Sequence, residues 1–143
     1  ADRVAAEGTV DSSRSERLAG CWYRAGVLLA GRVVAEGLFR PGAALRVGNS
    51  TTNELVAPGT DCASLVVVTE GTLLHFCPGY RVVLADASTG ARQTTTFEDS
   101  GTLRIGMPEV NVRIASGFNV LIRYHATREE AMLQMNAARD LRK

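Results

Sequence analysis

Apolar side chains recur at every second position near the end of the chain. Val110, Val112 and Ile114 alternate with Asn111 and Arg113; Phe118, Val120, Ile122 and Tyr124 alternate with Asn119, Arg123 and His125, and Leu121 is the exception. Period two is the mark of a strand with one buried face. The intervening Ala115-Ser116-Gly117 decides the register. A two-residue turn would set Ile114 against Asn119. A three-residue loop sets Ile114 against Phe118, Val112 against Val120 and Val110 against Ile122, and gathers the apolar side chains on one face. Such loops need one residue at positive φ, which Gly117 adopts at little cost. The pattern therefore predicts a hairpin in the second register.

After His125 the period changes. Thr127-Arg128-Glu129-Glu130 has the spacing of a capping box, with Thr127 as N-cap and Glu130 reaching back to its amide. Early acids and late Arg139, Arg142 and Lys143 suit the helix dipole. The prediction is a helix over 127–142, packed across the sheet. Leu133, Ala137 and Leu141 form one line, Ala131, Met135 and Ala138 an adjacent one, and Met132 falls outside both. That apolar surface is wider than one stripe requires, so Met132 and Met135, with Trp22, are the candidate partner contacts.

Upstream, turn signals return about every ten residues, from Gly31 and Pro41-Gly42 to Gly106-Met107-Pro108, with short apolar runs between them. The runs predict strands at 22–29, 32–39, 44–47, 63–69, 72–77, 80–85, 91–97 and 102–105. Ser64 to Val68 is apolar on both faces and reads as a central strand. Gln93 to Thr96 is polar and β-branched and reads as an edge. Asn49 to Gly59 is expected to be a mobile surface loop with weak strand character around Glu54-Leu55-Val56. The fold class is thus mostly β: an antiparallel β-sandwich or partly open barrel with one C-terminal helix. Residues 1–20 read as a flexible or short-helical lead-in, and residues 21–143 as a single domain.

Composition narrows the chemistry. Net charge is +1, which advertises neither nucleic acid nor membrane. Of 16 basic residues only Lys143 is lysine. Arginine suits planar anions, and Arg24, Arg32 and Arg40 are the candidate anion-binding set. The 3 cysteines, Cys21, Cys62 and Cys77, form no disulfide framework and fit a reducing compartment, cytoplasmic or cytoskeletal. No secretory leader and no membrane span is predicted. Cys62, His75 and Cys77, with Cys21, lack the tight Cys-x-x-Cys spacing of structural zinc. His75 and His125 are the only imidazole bases, and no nucleophile elbow or phosphate loop occurs. No catalytic residue, metal or cofactor is expected.

The stretch Phe118 to Glu130, a last strand followed by Thr-x-x-Glu, resembles the end of pleckstrin-homology-like domains. Polo-box domains are similar at the same coarse level. The resemblance implies a sheet closed by a C-terminal helix. The seven strands of that fold are fewer than the candidates here, and 22–39 lacks the clustered basic pattern of its lipid-binding members. The expected job is a non-catalytic protein-interaction or scaffold module, one domain of a larger protein, with self-association among its expected modes. The alternatives are a phosphoinositide or other anionic-ligand module, and a small enzyme with His75 or His125 facing a carboxylate in a cleft.

Overall fold

The computed structural model describes residues 12–57, 60, 62–96, 101–114 and 117–134. A helix, α1 (Ser12–Ala19), leads into eleven strands: β1 (Trp22–Leu29), β2 (Arg32–Phe39), β3 (Leu45–Gly48), β4 (Leu55–Val56), β5 (Val66–Thr69), β6 (Leu73–Phe76), β7 (Arg81–Asp86), β8 (Ala91–Thr96), β9 (Thr102–Arg104), β10 (Glu109–Arg113) and β11 (Phe118–His125). A second helix, α2, follows and is described over residues 128–134. The strands make two sheets, a six-stranded one in the order β2-β1-β11-β10-β7-β8 and a five-stranded one in the order β4-β3-β5-β6-β9. The architecture is a mostly-β sandwich with a short C-terminal helix, and no barrel closes.

Alternation drives this arrangement. Tyr23, Ala25 and Val27 of β1, Val82 and Leu84 of β7, Val110 and Val112 of β10, and Val120 and Ile122 of β11 are buried on one side of the larger sheet. Leu45, Val47, Val66, Val68, Leu74 and Leu103 oppose them from the smaller sheet in the same core cluster. Fully burying a side chain of this kind contributes about 1.5–3 kcal/mol. The β10–β11 hairpin takes the predicted register, with Val112 opposite Val120 and Val110 opposite Ile122, and Gly117 has φ 83°. β5 lies inside its sheet and β8 at an edge, as their compositions predict. The tyrosines of the core keep their hydroxyls satisfied: Tyr23 Oη donates to the Ala43 carbonyl at 2.6 Å and Tyr124 Oη to that of Gly71 at 2.5 Å.

Two segments differ from the sequence expectation. The first is the loop expected to be mobile over 49–59. Leu55 and Ala57 are buried, and β4 pairs with β3 in parallel. The Asn49 and Asn53 amides donate to the Thr60 and Ala63 carbonyls, and Glu54 takes Arg46 in a two-pronged ion pair, 2.9 and 3.2 Å. Two apolar residues are enough to anchor a polar segment when side chains bind its backbone. The second is β5, which starts at Val66 and not at Ala63. Here the Ala63 backbone crosses against Gly48 so closely that a Cβ on Gly48 would overlap the Ala63 carbonyl. The end of the lead-in takes the short-helical form among the two expected, as a helix that stops at Ala19. α1 is docked, with Ser15 buried and its hydroxyl bonded to the Ile105 carbonyl at 2.6 Å.

Candidate functional site

Of the predicted partner contacts, Trp22 lies at the corner where β1 begins and β11 ends, opposite His125, and Met132 is on the helix that follows β11. Thr127 builds the corner by capping α2: its Oγ1 accepts the Glu130 amide at 3.1 Å. The other half of the capping box differs from expectation, because the Glu130 carboxylate turns to His125 Nδ1 at 3.3 Å. Arg24 Nε donates to His125 Nε2 at 3.0 Å, which leaves Nδ1 to carry the imidazole proton toward Glu130. Burial lowers the His125 pKa, Arg24 and Arg123 add to the lowering, and Glu130 opposes it. The Arg128 guanidinium stands 5.8 Å from the Trp22 ring centroid.

The described part of α2 buries a single apolar side chain and shows no broad apolar stripe. Ala131 is buried, Met132 is 36% exposed and Leu133 is 70% exposed. Leu133 therefore points to solvent, against the predicted Leu133-Ala137-Leu141 line. Met135 and the rest of that line fall outside the described residues.

Arg24, Arg32 and Arg40 do not converge. Arg32 opens β2, and Arg40 lies just past its other end. Eight residues of extended chain separate them by about 26 Å. Alternation also sends Arg24 and Arg32 to opposite sides, because a bulge sits between Val27 and Leu28 and Arg32 pairs with Leu29. What the sheet does assemble is a different set on its outer face. Across one row Leu38, Arg24, Arg123, Glu109, Ala85 and Arg92 are successive neighbours, so Arg24 is directly opposite Arg123. Two rows away Arg113 is directly opposite Arg81. Between these rows lie Leu121 and Asn111, paired with each other, and Val83 beyond them.

A hollow of about 190 Å³ opens on this face, lined by the aliphatic side chains of Val83, Ala85 and Leu121 and by Asn111, Glu109, Arg92 and Arg123. Asn111 Oδ1 is buried there without a hydrogen-bond partner among the described residues. Arg81, Arg92, Arg113 and Arg123 are exposed, and none makes an ion pair among the described residues. Burial and then the facing Arg123 pull the Arg24 guanidinium below its ordinary pKa, and Glu36 partly restores it. The sequence pattern marks the polar phase of β10 and β11 but does not group Arg81, Arg92, Arg113 and Arg123, because only the register aligns them.

The residues weighed for metal or catalysis are dispersed. His75 lies between the Thr69 and Thr102 hydroxyls, at 3.1 and 3.5 Å. Cys21 Sγ donates to the Arg17 carbonyl and Cys62 Sγ to that of Ser64. All three thiols are free. Burial, followed by Cys77 and Cys62, pushes the Tyr80 hydroxyl up to about 12. Among the described residues no three His, Cys, Asp or Glu side chains form a metal-sized group, and no helix is long and apolar enough to cross a membrane. No protein-family description matches the chain, and no curated protein matches it in sequence.

Proposed function

We propose that the chain is a non-catalytic binding module that holds a protein partner on the outer face of its six-stranded sheet. One observation carries the reading: two arginine pairs sit directly opposite one another on one face. Like charges in that position cost stability, and the face holds five arginines (Arg24, Arg81, Arg92, Arg113, Arg123) against two acids (Glu36, Glu109). An anionic partner relieves that repulsion, and a hollow that sets Val83, Ala85 and Leu121 beside Asn111, Glu109 and two arginines favours a polypeptide, which brings side chains of both kinds. Trp22 and Met132 at the adjoining corner extend the surface. The hollow holds neither histidine, so nothing in it favours the enzyme reading.

The likeness to pleckstrin-homology-like and polo-box domains supports a sandwich ending in a helix and adds no ligand. Free thiols favour a reducing setting such as the cytoplasm or cytoskeleton. A second reading, binding of a phosphoinositide or similar small anion, is favoured by the Arg24–Arg123 pair alone. Thermal melting at low salt separates the two. Poly-glutamate should raise the Tm of the full chain, and Arg113→Ser with Arg123→Ser should abolish the rise. A rise with inositol polyphosphate but none with poly-glutamate would move the conclusion to the second reading. No rise with either would sink both.

A further inference from the structure

The geometry points to a specific ligand for this face: an extended acidic segment of the form Glu-x-Leu-x-Glu, its two carboxylates on the two arginine pairs and its leucine in the hollow between them. The inference rests on the binding-module reading and adds the spacing and chemistry of the partner.

The spacing follows from the register. Arg24 and Arg123 are neighbours on β1 and β11, and Arg113 and Arg81 are neighbours on β10 and β7. Glu109 is opposite Arg123, so the second pair lies four residues along β10 and two strand spacings across. At about 3.3 Å per residue and about 4.8 Å per strand, the centres of the pairs are about 16 Å apart on a diagonal. The midpoint of that diagonal falls between β11 and β10 on the intermediate row, where Leu121 is opposite Asn111. That row borders the hollow.

An extended peptide places side chains i, i+2 and i+4 on one side. Its outer two are then about 13 Å apart. The remaining few ångströms lie within the reach of flexible arginine side chains. Each pair of facing guanidinium groups can grip one carboxylate with charge-assisted hydrogen bonds. The central leucine meets Leu121, Val83 and Ala85, while Glu109, opposite Arg123 on the same row and lining the hollow, competes for the Arg123 guanidinium and shifts the ligand's glutamate to the Arg24 side of the pair. Asn111 Oδ1, buried and without a partner among the described residues, is placed to accept an amide N–H of the peptide backbone. Nucleic acid would present anions at much closer, regular intervals and bases in need of stacking surfaces. The midline row of this face, Glu36, Gly26, Leu121, Asn111, Val83 and Thr94, carries no aromatic side chain.

The test uses the full 143-residue chain and fluorescein-labelled peptides with the core Glu-Ser-Leu-Ser-Glu. Controls have the glutamates adjacent, serine for leucine, or lysine for glutamate. Anisotropy titration at about 50 mM salt keeps the electrostatic part visible. The parent peptide should bind at least about tenfold more tightly than each control, and Arg113→Ser and Arg123→Ser should each weaken it about tenfold, one charge-assisted contact apiece. The charge-swapped protein, Arg113→Glu with Arg123→Glu, should prefer the lysine peptide, which guards against variants that fail for other reasons.

Poly-glutamate binding with no preference among these peptides would overturn the spacing and leave the broader reading standing. Undiminished binding to Arg113→Ser and Arg123→Ser would place the ligand elsewhere and overturn the assignment. So would binding to phosphatidylserine vesicles by the same arginines with no binding to the peptide.

Discussion

The two faces of the six-stranded sheet are written in the same strands, one residue out of step, and they obey different economics. On the inner face each position matches its neighbours: Val112 meets Val120 and Val82, and Val110 meets Ile122 and Leu84. On the outer face Arg24 meets Arg123 and Arg113 meets Arg81. The inner face is consistent with folding alone. The outer face carries a folding cost, and sites where local rules are broken are where function is sought.

The contrast can be broken most forcefully in the core. Ile122→Ala on the inner face should cost about 3 kcal/mol in urea unfolding, while Leu121→Ala, its neighbour on the outer face, should cost less than about 1 kcal/mol. Equal losses would erase the distinction between the faces. Next is the corner that joins them. Thr127→Ala removes the α2 cap and should cost about 1 kcal/mol, with hydrogen exchange rising first in residues 128–134; unchanged exchange there would show that α2 does not depend on Thr127.

A smaller effect of opposite sign is expected from Arg113→Thr, which removes one like-charge pair and should stabilise the chain by a few tenths of a kcal/mol. Destabilisation would mean that Arg113 is not repelled by Arg81. The faintest effect is the pH dependence of His125. Its pKa in the folded chain is below the ordinary 6.5, so the unfolded chain takes up the proton first. Stability is full above about pH 6.5 and declines as pH falls toward the folded value. The fall in urea midpoint between about pH 7.5 and about pH 5.5 should shrink in His125→Gln, and an identical fall in both proteins would remove His125 from the account.

Much of this fold was legible because period two is a local signal. The hairpin register, the central position of β5, the polar edge at β8 and the Thr127 cap all follow from residues close in sequence. Leu55-Val56 was underrated because a strand of two residues has no period to detect, and its anchors, Asn49 and Asn53, act across ten or more residues. The shortened β5 was invisible for a similar reason, since it depends on the crossing at Gly48. The arginine face was half legible. Alternation put Arg113 and Arg123 on polar positions, yet the grouping proposed from sequence, Arg24 with Arg32 and Arg40, followed nearness along the chain. Which arginines become neighbours is fixed by pairing between strands up to a hundred residues apart, Arg24 with Arg123.

The stacking of Arg128 on Trp22 has an optical consequence. The chain has 1 tryptophan, and it lies where α2 meets the sheet rather than in the core. Its emission therefore gauges a single joint. If α2 lifts away while the sandwich stays intact, the indole loses its cation and gains water, and the spectrum should move to the red before the far-ultraviolet β signal changes. Fluorescence and circular dichroism would then trace two curves, and the gap between them would time the detachment of the corner from the melting of the sheets.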